Sequence, residues 1–89
     1  MKVFRRRPGE NWELIEIENT LQALQKEVGG PIETSFLSTG ACIICNEEGL
    51  LRGLPLNLYL GYPFVGTLLI VGVDGEKFCD VKEEWRDIL

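Results

Sequence analysis

The chain contains no histidine. That absence removes the side chain that most often acts as a general base near neutral pH, and with it the centre of a Ser-His-Asp arrangement. No phosphate-binding loop or dinucleotide fingerprint is present. Residues 66–75 are rich in glycine but lack the lysine and the spacing that cradle phosphate. Long apolar runs are missing too: the longest, residues 65–73 (VGTLLIVGV), has nine residues where a membrane helix needs about 20. Cysteine is sparse, and three is an odd number, which argues against a disulfide framework. Lys2 and the Arg5-Arg6-Arg7 run lead into Pro8-Gly9-Glu10 rather than an apolar stretch, so no signal peptide is read there. The expected compartment is the cytosol, where Cys42, Cys45 and Cys79 stay reduced.

Positive charge is scarce beyond the start. Nine Lys and Arg stand against fourteen Asp and Glu, a net of −5, and four of those nine fall in the first seven positions. Such a body has no attraction for a DNA backbone, which needs cationic partners. It is drawn instead to basic surfaces, such as the nucleic-acid channel of another protein. The plainer alternative is that the carboxylates simply keep a small protein soluble. Arg5, Arg6 and Arg7 read either as a phosphate contact or as a solvated end.

What is present reads as one domain over residues 1–89, with a core worth roughly 5 kcal/mol net. Residues 65–73 are apolar on both faces and β-branched at Val65, Thr67, Ile70, Val71 and Val73, the pattern of a central strand covered on two sides. Asp74-Gly75 then signals a hairpin turn into an edge strand over residues 76–79. Asn19 reads as the N-cap of a helix of about nine or ten residues, with Leu21, Leu24 and Val28 on one face. Gly29-Gly30 and Pro31 end it. Residues 1–9 are expected as an edge strand or basic arm, and residues 12–17 as a strand or as helix; the cap at Asn19 separates them from the helix that follows. Residues 32–37 and 41–45 alternate or run apolar as strands. Asn46-Glu47-Glu48-Gly49 forms a loop with Gly49 at a positive-φ position, and residues 50–54 return. Pro55, Asn57, Gly61 and Pro63 predict an irregular loop lying over the sheet. Residues 80–89 are predicted as a terminal helix opened by a capping-box pattern at Asp80-Val81-Lys82-Glu83 and carrying Trp85 and Ile88. The expected class is α+β: a mainly antiparallel sheet of about five strands, one packed helix and a short C-terminal helix.

Several short patterns follow one another along the chain, which has no repeats. They are Asn19-Thr20-Leu21, Leu24-Gln25, Val28-Gly29-Gly30 and Ile32-Glu33, then Ile44-Cys45-Asn46-Glu47-Glu48-Gly49, Gly53-Leu54-Pro55 with Asn57, and Gly66-Thr67 with Leu69-Ile70-Val71-Gly72. Together they resemble the family catalogued as domain of unknown function 3846, over roughly residues 12–78. The resemblance implies a setting in phages and integrative elements of bacteria and carries no established activity. The chain departs from the pattern by a shortened segment between Asn57 and Val65 and by its own Arg-rich start and Trp85 tail.

Three functional classes remain. Catalysis lacks parts: Glu47-Glu48 and Glu83-Glu84 are sequence neighbours rather than a pair across a cleft, and carboxylates near Cys45 disfavour its thiolate. The first class, given the acidic body, the missing catalytic parts and the mobile-element setting that the resemblance implies, is a non-enzymatic interaction protein that blocks a host defence protein, for example a CRISPR or restriction nuclease. Glu47, Glu48, Glu83, Glu84 and Asp87 are its candidate contacts, with no cofactor and no membrane. The second is a zinc-stabilised module using Cys42, Cys45 and Cys79, completed by Asp80 or a glutamate. In a strand, however, residues i and i+3 point to opposite faces. The third is a small-ligand binder using the loop of residues 53–66, with Asn57 and Tyr59 as polar contacts, although Asn57 also reads as a turn residue.

Overall fold

The apolar run supplies the strand around which the molecule is assembled. The computed structural model describes residues 1–89. Its strands are β1 (Lys2–Arg6), β2 (Glu13–Glu16), β3 (Ile32–Ser38), β4 (Ala41–Asn46), β5 (Leu56–Tyr59), β6 (Tyr62–Val65), β7 (Leu68–Asp74) and β8 (Lys77–Cys79), with helix α1 (Leu21–Val28) and a 3-10 helix at Glu83–Ile88. Six strands form one antiparallel sheet in the order β2-β1-β7-β4-β3, with β8 continuing past β1 on the same edge of β7. Strands β5 and β6 form a separate hairpin. The mainly antiparallel α+β architecture stands.

Strand β7 is central because it is apolar on both faces, and both are covered. Leu68 and Ile70 share one face with Phe4, Ile43 and Cys45, packed under Phe64 of the hairpin and Val81 of the tail. Leu69 and Val71 share the other with Val3, Cys42 and Ile44, packed under Leu24 and Val28 of α1. The sheet is thus the middle layer between a helix and a hairpin-plus-tail.

Local chemistry moves several boundaries from their expected places. The helix is capped by Thr20, not Asn19: the Thr20 Oγ1 accepts the Ala23 N–H at 3.1 Å. Asn19 instead donates its side-chain amide to the Phe78 carbonyl, tying the helix entry to β8. Leu24 and Val28 are buried, while Leu21 is half exposed. At the other end Gly29 takes φ 82° and its N–H returns to the Gln25 carbonyl, as expected for a left-handed cap. Strand β1 is neither an edge nor an arm; it lies between β2 and β7. Its arginines are tethered rather than solvated. Arg5 binds Glu13 and, at 2.8 Å, Glu27 of α1. Arg6 donates to the Leu58 and Glu10 carbonyls. The hydrogen bond from Arg5 holds the Glu13 carboxyl below its usual range. This contribution to stability is complete above the ordinary carboxylate pKa and is lost as pH falls through the lowered value.

Three further expectations are corrected. Residues 50–54 form turns, not a strand, with the Leu54 N–H closing onto the Gly49 carbonyl. Gly49 does not have positive φ; glycine is needed there because a Cβ would sit 2.6 Å from the Val65 Cγ2. The tail forms a 3-10 helix over Glu83–Ile88 without a side-chain cap, because Asp80 is engaged elsewhere, accepting the Lys2 N–H at 2.8 Å.

Candidate functional site

Strand register distributes the charged residues between two ends of the sheet. At one end Lys2 faces Glu16 across β1 and β2, and β7 runs out through Asp74 into β8. At the other, β1 finishes at Arg6 beside Leu68 and β4 finishes at Asn46 beside Ile32. The Lys2 end gathers Glu16 and Glu18 from β2 and the approach to α1, Asp74 and Glu76 from the β7–β8 turn, and Asp80, Glu83, Glu84 and Asp87 from the tail. Against these eight carboxylates stand Lys2, Lys77, Lys82 and Arg86, a local net of −4. The Arg6 end, with α1's last turn, holds the rest, a net of −1. Most of the molecule's net charge therefore sits at one end.

Ion pairing sharpens the contrast. At the Lys2 end only Glu83 has cationic neighbours, Lys2 and Arg86, both at 3.9 Å. Glu16, Glu18, Asp74, Glu76, Glu84 and Asp87 are exposed with no cation in contact. At the Arg6 end, Arg5 is shared between Glu13 and Glu27, Arg7 lies 3.7 Å from Glu10, and Arg52 lies 2.9 Å from Glu48, while Glu33 and Glu47 are exposed with no cation in contact.

The five carboxylates singled out from the sequence therefore do not form one surface. Glu83, Glu84 and Asp87 belong to the acidic end. Glu47 and Glu48 emerge where β4 finishes, at the opposite end, and Glu48 is held by Arg52. Glu16, Glu18, Asp74 and Glu76 were missed. Their only sequence signal is that each flanks a strand, and it needs the pairing of β1 with β2 and of β7 with β8 to become a location.

The cysteines do not fit a zinc site. Cys42 and Cys45 lie on opposite faces of β4, in the helix-side and hairpin-side cores respectively. No three His, Cys, Asp or Glu side chains converge as metal ligands. Burial, reinforced by the Glu33 carboxylate whose Oε2 lies 3.8 Å away, pushes the Cys45 thiol up to about 11. Burial raises the Cys42 thiol as well. Alkylation of the native protein at about pH 8 is expected to label the half-buried Cys79 first and to spare Cys42 and Cys45 until denaturant is added. Mass spectrometry of the labelled peptides checks this, and early labelling of Cys45 contradicts it.

The proposed ligand contacts are anchors. Asn57 is no turn residue; it is buried in β5, and its amide donates to the Arg6 and Gly66 carbonyls, both at 2.9 Å. The Tyr59 ring meets Trp12 edge-on at 5.1 Å, and burial raises its phenol pKa against the opposing charge of Arg6. These contacts bind the hairpin to the sheet. The cleft beside it, lined by Glu33, Cys45, Leu50, Tyr62 and Phe64, has about 90 Å³, room for a few waters and not for a metabolite.

A family model described as Domain of unknown function (DUF3846) matches residues 1–89. The chain belongs to the DUF3846 family. Comparison with curated proteins and with solved structures found no match. In this DUF3846 protein no helix is long and apolar enough to cross a membrane.

The DUF3846 chain also has a second distinctive surface. Residues 53–73 carry no charged side chain. Within and beside that stretch Leu50, Leu51, Leu56, Leu58, Leu60 and Tyr62 are all more than half exposed. Alternation turns Asn57 inward and Leu56 and Leu58 outward, with Val65 and Pro63 as their cross-strand partners. Leu50 borders the small cleft with Tyr62, Pro63 and Val65, together with the polar Glu33, Asn46 and Glu47, and Tyr62 lies on the inward side with Tyr59 and Phe64.

Proposed function

We propose that this protein is a non-enzymatic interaction protein of a mobile element, acting in the bacterial cytoplasm. Its acidic end binds a basic surface on a host protein. A CRISPR or restriction nuclease is the partner class that best fits this chemistry, because its nucleic-acid channel offers the opposite charge, and occupying that channel blocks access. The observation that supports this reading is the concentration of unpaired, exposed carboxylates at the Lys2 end, six of them against two (Glu33 and Glu47) at the end where the arginines are engaged.

Carboxylates with no internal partner keep their full charge for another surface. Gathered on one end, they add their fields within a Debye length of about 8 Å at physiological ionic strength. They steer encounter and set orientation more than they set affinity. Lys2 and Arg86 soften only Glu83, so Glu84 and Asp87 on the tail, with Glu16 on β2, are the strongest contacts.

The test compares tagged wild type with two charge-reversed variants in pull-downs from host lysate. One carries Glu16→Lys, Glu84→Lys and Asp87→Lys; the other carries Glu33→Lys and Glu47→Lys at the opposite end. The acidic-end variant is expected to lose the captured nucleic-acid-binding protein, with affinity reduced roughly 10- to 100-fold. The other variant is expected to retain it. Equal capture by both variants contradicts the proposal.

A further inference from the structure

We propose that the open edge of β3 is a docking site for an extended segment of another protein, one that alternates basic and apolar residues and joins the sheet as a further strand. Strand β3 pairs with β4 alone. The Glu47 N–H donates to the Pro31 carbonyl at 2.8 Å, so Pro31 and Glu47 form a hydrogen-bonded pair immediately before Ile32 and Asn46. Such pairs alternate along an antiparallel ladder. Glu33 and Ser35 therefore bond to β4, while Ile32, Thr34 and Phe36 turn their N–H and C=O groups to the open side, where nothing in the protein takes them. A bulge between Phe36 and Ser38 closes this regular stretch. The other free edges are blunter: β2 has four residues with a glutamate at each end, and β8 has three.

The side chains on the two faces of the edge specify the occupant. Ile32, Thr34 and Phe36 stand on the helix side, across from Asn46, Ile44 and Cys42. Phe36 is 79% exposed and borders a shallow groove shared with Cys42, Val73 and Phe78. On the hairpin side stands Glu33, across from Cys45, and Glu47 joins it at the small cleft. Both carboxylates are exposed with no cation in contact, and Arg52, near the start of the strand, is already held by Glu48 and the Gly29 carbonyl. An added strand sets its side chains about 5 Å from those directly opposite. A lysine or arginine on one face thus meets Glu33 and Glu47, and an apolar residue on the other meets Phe36.

Charge sets a basic segment above a second copy of this chain. Each copy has a net charge of −5, and the one charged side chain within β3 is Glu33. Pairing two copies about Thr34 lays Ile32 against Phe36 but makes the two Glu33 carboxylates diagonal neighbours, about 7–8 Å apart and within a Debye length of about 8 Å. Pairing them about Glu33 sets the carboxylates directly opposite. A segment of the other sign turns the same carboxylates from an obstacle into a contact. The β3 edge lies across the sheet from β2, so this docking site does not rest on the role of the acidic end.

The test titrates a labelled, capped peptide of alternating lysine and valine into the full chain at physiological salt. The peptide is expected to bind and to slow hydrogen exchange at the Ile32, Thr34 and Phe36 amides, whereas Glu33 and Ser35, bonded to β4 throughout, change little. A peptide N-methylated at each valine, whose N–H groups would face β3, and one with the same residues in blocks are each expected to bind roughly tenfold more weakly. Glu33→Lys with Glu47→Lys is expected to cost a similar factor. Thr34→Pro removes an outward N–H and no bond to β4, and is expected to weaken binding with an unchanged circular dichroism spectrum. Should that variant not fold, the methylated peptide makes the same test from the ligand's side. The Glu16→Lys, Glu84→Lys, Asp87→Lys variant is expected to bind the peptide as wild type does, which separates this site from the acidic end. Absence of binding, protection of other amides in place of these three, loss of binding in the acidic-end variant, or a methylated peptide as tight as the parent each overturns the proposal. So does a free protein with the mass of two chains and these three amides already protected, which would make a second copy the occupant.

Discussion

Gly72→Ala is expected to cost about 3 kcal/mol of stability, the upper end for overpacking a filled core. Gly72 sits in β7, paired with Ala41 of β4 on one side and Cys79 of β8 on the other. A methyl group there would press into the Asp80 carbonyl and lie 2.9 Å from the Cys79 Sγ. The Cys79 side chain can rotate away; the Asp80 backbone cannot. It is fixed from both sides, by the Lys2 N–H on the Asp80 Oδ1 at 2.8 Å and by the Val81 N–H on the Lys2 carbonyl at 2.9 Å. Relief therefore requires the tail to leave β1 and Val81 to leave the core. A domain of this size is held by only about 4–13 kcal/mol. Urea denaturation measures the loss, and a shift below about 0.5 kcal/mol would show that the tail is not packed as described.

Asn57→Ala is expected to release the hairpin from the sheet, at a cost of about 2 kcal/mol or more. The alanine leaves the Arg6 and Gly66 carbonyls without the amide that bridges them at 2.9 Å each. The Asn57 Oδ1 has no hydrogen-bond partner in the protein, so the hydrogen bonds lost are the two donations, to which the packing lost with a fully buried side chain is added. A two-stranded hairpin is marginal alone, and Phe64, the edge contact of Tyr59 on Trp12 and the exposed hydrogen bond from Arg6 to the Leu58 carbonyl are modest remaining anchors. Hydrogen exchange is expected to accelerate in β5 and β6 while β4 and β7 stay protected. Asn57→Asp, which keeps the shape but presents oxygen to both carbonyls, is expected to be no better. Unchanged exchange in the hairpin of either variant contradicts this anchoring role.

The parts of the fold legible in the sequence are those where one local cause suffices. Residues 68–71 and 41–45 are apolar on both faces, and only a buried inner strand satisfies that. The end of α1 was legible because Gly29-Gly30-Pro31 leaves the chain no other course. Its start was misplaced by one residue because Asn19 and Thr20 both cap well, and the choice fell to the long-range bond from Asn19 to Phe78. The β5–β6 hairpin was hidden for a similar reason. Pro63 and the Leu60-Gly61 turn argue locally against it, and the buried Asn57 that holds it looks from sequence like a turn residue.

The sites followed the same division. That Cys42 and Cys45 face apart was legible from strand alternation alone. The acidic end was only half visible. Glu83, Glu84 and Asp87 are close in sequence, but Glu16 joins them only because β2 pairs with β1 in a register that sets it opposite Lys2. Arg5 and Arg6 are tethered rather than solvated because their partners, Glu27 and the Leu58 carbonyl, lie far along the chain, whereas Arg7 is exposed as a solvated arginine is expected to be. Compositional acidity becomes a directional property only when the fold pairs most of one end's carboxylates and leaves most of the other's open.

The salt dependence of binding to the captured host protein tests that directional property most directly. Affinities of wild type and of the Glu16→Lys, Glu84→Lys, Asp87→Lys variant are to be measured by calorimetry from low to high ionic strength. Wild-type affinity is expected to fall steadily as salt rises, and the variant's to be weak throughout and nearly flat. Parallel slopes for the two proteins, or a wild-type affinity indifferent to salt, would contradict the account.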